Sequence, residues 1–254
     1  MLLPLVILSG ISRDPPASFE VDMPSILITG ANRGIGLELT QQYAAEGWQV
    51  YACCRDPNKA PELQKLAQSA NGLIDVYALD VTQEAQRQAL ATQLNNKPID
   101  ILFNNAGVSG GWGNQSFGHT DVQTWLDTFQ SNVIAPQKMM EALVENVAAS
   151  ELKIMANMTS KMGSMADNGS GGAYLYRSSK AGLNAVCVSA ARDLAKRNIK
   201  VVALHPGWVR TDMGGANGEL SVQQCVTALR RNLAQITLQD SGRFIDIDGS
   251  TIPW

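Results

Sequence analysis

From Ser25 onward, short and nearly continuous apolar runs alternate with stretches of helical spacing, and this alternation constrains the fold more than any other feature of the chain. The runs are SILIT from Ser25, WQVYACC from Trp48, LIDVYAL from Leu73, IDILF from Ile99, LKIMANM from Leu152 and IKVVAL from Ile199. Between them, residues 35–46, 61–69, 83–94, 122–148 and 173–196 carry helical patterns. Strands apolar on both faces need cover on both faces, and helical crossovers return each strand parallel to the last. The pattern predicts one α/β domain over residues 23–254, a doubly wound parallel sheet with helices on both sides. No repeat, low-complexity tract or linker interrupts it.

Charge and cysteine usage narrow the function. With 20 Lys plus Arg against 23 Asp plus Glu, the net charge is −3, so the field that neutralises nucleic-acid phosphates is missing. No apolar run approaches the roughly 20 residues of a membrane span. Cys53, Cys54, Cys187 and Cys225 lack CxxC spacing, and only His119 and His205 accompany them, so no metal cluster is expected. A reducing, cytoplasmic setting fits this usage. Residues 1–22 differ from the rest: a seven-residue apolar run, Leu2 to Leu8, is broken by Pro4 and followed by turn formers, without the basic stretch and cleavage site of a secretory signal. They read as a disordered extension or an upstream start before Met23, with a short membrane tether as the alternative.

The first strand runs into TGANRGIG, Thr29 to Gly36, where Gly30, Gly34 and Gly36 precede a helix with Ile35, Leu39 and Tyr43 on one face. Glycines there let the backbone turn tightly and approach a pyrophosphate seated on the helix N-terminus. The spacing is GxxxGxG and not GxGxxG, and a glycine turn between strand and helix is often only a turn. The second strand ends Cys53-Cys54-Arg55, with no carboxylate until Asp56. An acidic residue there accepts a free ribose 2′-OH, whereas an arginine accommodates a 2′-phosphate. Arg55, with Arg33 from the glycine turn, therefore predicts NADP(H), unless both are merely solvated.

Tyr176 and Lys180 stand four residues apart in a helical segment and share a face. An ammonium beside a phenol should favour phenolate and lower the tyrosine pKa from its reference near 10. Tyr174, with Arg177 three residues on, competes, but position 178 is serine. Ser160 follows the fifth apolar run, at a strand end where α/β folds hold ligands. Trp112 and Trp208 either line a substrate pocket or pack as loop anchors. Cys53 and Cys54 read as apolar filler, the methionines at 155, 158, 162 and 165 as packing, and His205 as non-catalytic.

Taken in order, TGANRGIG, Asp80-Val81, NNAG at Asn104 to Gly107, Asn132, Ser160, YRSSK at Tyr176 to Lys180 and HPGWVRT at His205 to Thr211 resemble the short-chain dehydrogenase/reductase family over residues 23–254. CRDP after the second strand, TSKMGS, HPGWVRTDMGG and the ending FIDIDGSTIPW look like its C-factor and sniffer-type carbonyl reductase branch. The resemblance implies a Rossmann-like sheet of about seven strands and an oxidoreductase that uses NADP(H) to reduce a small carbonyl compound (aldehyde, ketone or quinone). It implies Tyr176 as proton donor, Ser160 holding the carbonyl oxygen, Lys180 tuning the phenol and binding ribose, and Asn132 supporting a proton-relay water. It also assigns cofactor contacts to Gly30, Asn32, Arg33, Gly34, Ile35, Gly36, Arg55, Asp80 and Val81. Further contacts fall on Asn104, Ala106, Gly107, Pro206, Gly207, Val209 and Thr211. A homodimer or homotetramer is the implied assembly, and a nucleotide-binding signalling protein of the C-factor type is the alternative function on the same fold.

Overall fold

The computed structural model describes residues 23–254, and the expectation for residues 1–22 lies outside them. In chain order the elements are Ser25–Thr29 (β1), Gly34–Ala45 (α1), Gln49–Cys54 (β2), Pro61–Ser69 (α2), Ile74–Ala78 (β3), Glu84–Gln93 (α3) and Ile101–Asn104 (β4). A small hairpin follows, Gln115–Ser116 (β5) and His119–Thr120 (β6), then Val122–Phe129 (α4), Ala135–Ala142 (α5), Val144–Ala148 (α6) and Ile154–Met158 (β7). Tyr174–Asp193 (α7), Lys200–Leu204 (β8), Val222–Ala234 (α8) and Phe244–Ile245 (β9) complete the chain.

Seven strands form one sheet in the order β3-β2-β1-β4-β7-β8-β9, and every pairing is parallel. Side chains alternate across it, so β1 feeds two cores. Ile26 and Ile28 pack with Leu39 and Tyr43 of α1 and Leu229 of α8, while Leu27 packs with Leu102, Met139 and Leu183 on the other face. That two-sided burial is why the strands read as continuous apolar runs. The chain winds from β1 outward to β3, then returns to β4 and continues the other way. The reversal leaves a crevice beyond the carboxyl ends of β1 and β4, where doubly wound sheets bind ligands.

Departures from the predicted elements have local causes. The fifth run begins pairing only at Ile154, after Lys153 takes a left-handed backbone (φ 53°). The helical stretches expected over residues 122–148 are α4, α5 and α6, and the break after α4 has its own cause. Pro136 has no N–H for the carbonyl four residues back, and the ladder widens into a π turn, Gln130–Ile134, in which the Ala135 amide reaches the Gln130 carbonyl five residues earlier. α8 and β9 lie beyond the last predicted strand, and β9 supplies the seventh strand of the sheet.

Candidate active site

The glycine turn is shaped by close approach. Gly30 and Gly34 have φ of 68° and 54°, whereas at Gly36 a Cβ would stand 2.2 Å from the Gly30 carbonyl oxygen and 2.7 Å from Asn105 Nδ2. Asn105 clamps the turn from the end of β4: its Nδ2 donates to the Thr29 carbonyl (3.0 Å) and its backbone N–H to Thr29 Oγ1 (3.0 Å). Gly36→Ala is therefore expected to lower Tm by roughly 2–12 °C, because overpacking costs about 1–3 kcal/mol and a domain of this size shifts about 2–4 °C per kcal/mol. Thermal melting checks it, and an unchanged Tm would show that the turn relaxes freely.

α1 starts at Gly34 after Arg33, whose side chain makes no capping bond. The unpaired first-turn amides face a cavity of about 1100 Å³, a ready seat for phosphate. On the first-strand side, Gly30, Asn32, Arg33, Gly34 and Ile35 line it. Arg55, Asp80 and Val81 line it from the ends of β2 and β3, and Ala106, Gly107, Pro206 and Thr211 from the far side. The open helix end, the close glycine approach and the length of this groove fit a dinucleotide. Four further positions of the cofactor expectation are not among the residues that line the groove. Gly36 packs on the turn, Gly207 sits under Leu220, and Val209 is buried in the apolar core. Asn104 is buried, its Nδ2 donating to Asn157 Oδ1 (2.9 Å) across the β4-β7 ladder.

The two arginines of the 2′-phosphate expectation differ. Arg55 is exposed at the cavity rim. Arg33 reaches across the groove to Asp212 at 2.6 Å, a pair with both side chains more than two-thirds exposed, and such pairs contribute only about 0–1 kcal/mol.

Tyr176 and Lys180 line the same cavity, and the Lys180 ammonium lies 5.6 Å from the phenol ring centre. Ser160 is buried beside the Tyr176 side chain; its Oγ accepts the Met162 N–H (3.2 Å), opening the 3₁₀ turn Lys161–Gly163. The expected lowering of the phenol pKa by Lys180 is not found. Burial dominates and pushes Tyr176 up to about 12, with the neighbouring Ser160 hydroxyl opposing. Burial likewise draws Lys180 down to about 8, and its Nζ donates to the Met158 carbonyl (2.8 Å). Four-residue spacing puts the pair on one face but does not reveal that the face is desolvated.

Asn132 sits in the π turn. Its Oδ1 accepts the Val108 N–H (2.8 Å), and its Nδ2 donates to the Val108 carbonyl (2.8 Å) and Ser179 Oγ (3.0 Å). A Cβ on Gly107 would meet Asn132 Oδ1 at 3.1 Å and Lys180 Nζ at 3.6 Å, so NNAG, the π turn and α7 converge on one point. Tyr174 is apart, its ring tilted against Phe117 (6.4 Å between centres), and Arg177 turns to the 170–171 loop and the Met162 carbonyl. Trp112 packs edge-on against the Tyr176 ring at 5.1 Å and donates to the Met213 carbonyl (3.0 Å). Trp208 anchors the same loop through the Gly214 carbonyl (2.8 Å). Cys53 and Cys54 are buried in β2. His205 is held near a pKa of about 4, chiefly by burial, against nearby Asp246. Among the described residues no group of His, Cys, Asp or Glu could hold a metal ion. Gln115, whose carboxamide bonds the Tyr176 amide, carries no sequence signal that marks it.

Comparison with known proteins agrees with this geometry. Residues 24–220 match the family model for short chain dehydrogenases. C-signal of Myxococcus xanthus is 40% identical over 167 residues, covering 66% of this chain and 99% of the relative. The carbonyl reductase Sniffer of D. melanogaster superposes with a TM-score of 0.85 at 31% identity, covering 91% of this chain and 100% of that one. The NADPH-bound carbonyl reductase from chicken fatty liver does so with a TM-score of 0.85 at 31% identity, covering 91% and 99%.

Proposed function

The chain belongs to the short chain dehydrogenase family, and from that premise we propose that residues 23–254 form an NADPH-dependent carbonyl reductase acting on a small aldehyde, ketone or quinone. The observation that carries the reading is the meeting of Tyr176 and Lys180 at one wall of the groove opened by the glycine turn, with Ser160 beside the Tyr176 side chain. When bound, the nicotinamide supplies hydride. Asp80, whose Oδ1 holds the Thr82 amide (2.9 Å) and hydroxyl (2.7 Å), offers its second oxygen to the adenine end. The α1 amides take the pyrophosphate, and Thr211 the carboxamide edge.

Tyr176, protonated at neutral pH because burial raises it to about 12, donates its proton to the carbonyl oxygen of the substrate. Ser160 donates a hydrogen bond to that oxygen as negative charge develops on it. The phenolate left behind is stabilised by the positive charge of Lys180. Asn132 keeps Val108 and Ser179 in register around Lys180. Use of NADPH is supported by the likeness to the NADPH-bound carbonyl reductase from chicken fatty liver, and Arg55 and Arg33 are the residues proposed to hold the 2′-phosphate. The proposed assembly is a homodimer or homotetramer in the cytoplasm; among the described residues no helix is long and apolar enough to cross a membrane.

A pH dependence follows from Lys180. Its charge disappears above about pH 8, so kcat/KM for reduction should fall as pH rises through that value. Lys180→Arg, which keeps its charge, should move the fall to higher pH. A profile flat from pH 7 to 10 would contradict this role.

The test of function is a screen of aldehydes, ketones and quinones, followed by NADPH absorbance. Turnover of at least one class is the expected result. The similarity to C-signal favours a second reading, a nucleotide-binding signalling protein; tight NADPH binding without turnover of any carbonyl would select it.

A further inference from the structure

α7 begins without a cap of its own. The four leading amides of a helix have no carbonyl partner within it, and Ser, Thr, Asp or Asn usually supplies one from the N-cap position. Here that position is Ala173, in a left-handed conformation (φ 48°, ψ 42°) with no side-chain acceptor. The amide left wanting at the third helical position is that of Tyr176.

Gln115 meets it from 61 residues away. Its Oε1 accepts the Tyr176 N–H at 2.9 Å, while its Nε2 donates to the carbonyls of Ser109 (2.6 Å) and Gly111 (3.0 Å). The side chain is 2% exposed. A methionine would fill the same volume; only a carboxamide brings one acceptor and two donors in a plane. The loop it grips is wedged against α4 and α7, since a Cβ on Gly110 would meet Thr128 Oγ1 at 2.8 Å and Leu175 Cβ at 3.3 Å. That loop leads into Trp112, which braces the Tyr176 ring edge-on at 5.1 Å.

We infer that Gln115 is a positioning residue for Tyr176: it caps α7 from outside the helix at the proton donor's own amide and ties that amide to the loop whose tryptophan flanks the phenol. The inference rests on Tyr176 being the proton donor. Releasing the cap lets the first turn of α7 shift against Ser160, and a displacement of about 1 Å can cost roughly a hundredfold in rate. Gln115 does not line the cofactor groove, so the effect falls on the chemical step.

Gln115→Met and Gln115→Glu test this in the full chain, with kcat at saturating NADPH, NADPH affinity by fluorescence, and hydrogen exchange of the Tyr176 amide. Gln115→Met should lower kcat by about ten- to a hundredfold, change NADPH Kd less than about twofold and speed Tyr176 exchange at least about tenfold. Gln115→Glu, when protonated, keeps the acceptor and one donor, so its kcat should climb towards that of the wild type as pH falls, while the methionine variant shows no such recovery. If the methionine variant does not fold, the pH-dependent recovery of the glutamate variant carries the test. Unchanged Tyr176 exchange or a kcat within about twofold of wild type in Gln115→Met would overturn the inference, as would a glutamate variant whose deficit does not change with pH. A wild type that turns over no carbonyl would overturn the reductase reading instead, with Tyr176 exchange still reporting on the cap.

Discussion

Replacing Tyr176 by phenylalanine is expected to lower kcat by about 10²- to 10⁴-fold, the span that general acid catalysis typically contributes, while NADPH affinity stays nearly intact. The substitution removes one oxygen from a side chain that is buried and braced by Trp112, so the ring and the first turn of α7 keep their packing. What is lost is the phenol proton. Because the phenol assists only once charge develops on the carbonyl oxygen, kcat and kcat/KM should fall together. Tyr174→Phe is the matched control: its ring faces Phe117 and not the groove, and it should leave kcat within about twofold, since surface substitutions away from a site cost little. Steady-state kinetics with a turned-over carbonyl and fluorescence titration with NADPH measure both. Equal losses in the two variants, or a larger one for Tyr174→Phe, would remove Tyr176 from the role.

The parts of this site visible in the sequence are those where a residue's role follows from its own neighbours. SILIT, IDILF and IKVVAL read as strands because each is buried on both faces, and Tyr176 and Lys180 share a face through helical spacing alone. α8 was equally legible in principle: Ser221 and Gln224 form a capping box, and Cys225, Val226, Leu229 and Leu233 follow at helical intervals. β9 was not, because a two-residue strand has no period to detect.

Other features depend on contacts that spacing does not encode. Gln115 lies in a polar, glycine-rich stretch, and its meaning comes from an amide 61 residues on. The pKa of Tyr176 moves opposite to the expectation drawn from Lys180, since the balance between a nearby charge and burial is set by how deeply α7 is covered. Asn104, Gly36 and Val209 belong to motifs, and what they pack against is seen only in the fold: Asn157 across the sheet, the Gly30 carbonyl and the apolar core.

The wild type should prefer NADPH over NADH by about ten- to a hundredfold for each effective arginine contact, since hydrogen bonds to charged groups contribute about 1.5–3 kcal/mol. Arg55 stands at the groove with no carboxylate at Cys54 to hold a free 2′-OH or repel a phosphate. Arg33 is engaged by Asp212 across the groove, but with both side chains largely in water that bond is weak, and a 2′-phosphate carrying close to two negative charges is the stronger partner. Binding it would therefore exchange an exposed ion pair for a better one at little cost. Cys54→Asp combined with Arg55→Ala should invert the preference, joining a repulsive charge to the loss of an attractive one. Cys54 is buried at the end of β2 yet borders the groove, so the new carboxylate would escape full desolvation only by turning towards the ribose, where a 2′-OH can donate to it. The comparison of kcat/KM for the two cofactors in wild type and double variant decides the matter. Equal use of NADH and NADPH by the wild type would remove Arg55 and Arg33 from the role, and a double variant that still prefers NADPH would show that the selectivity lies elsewhere along the groove.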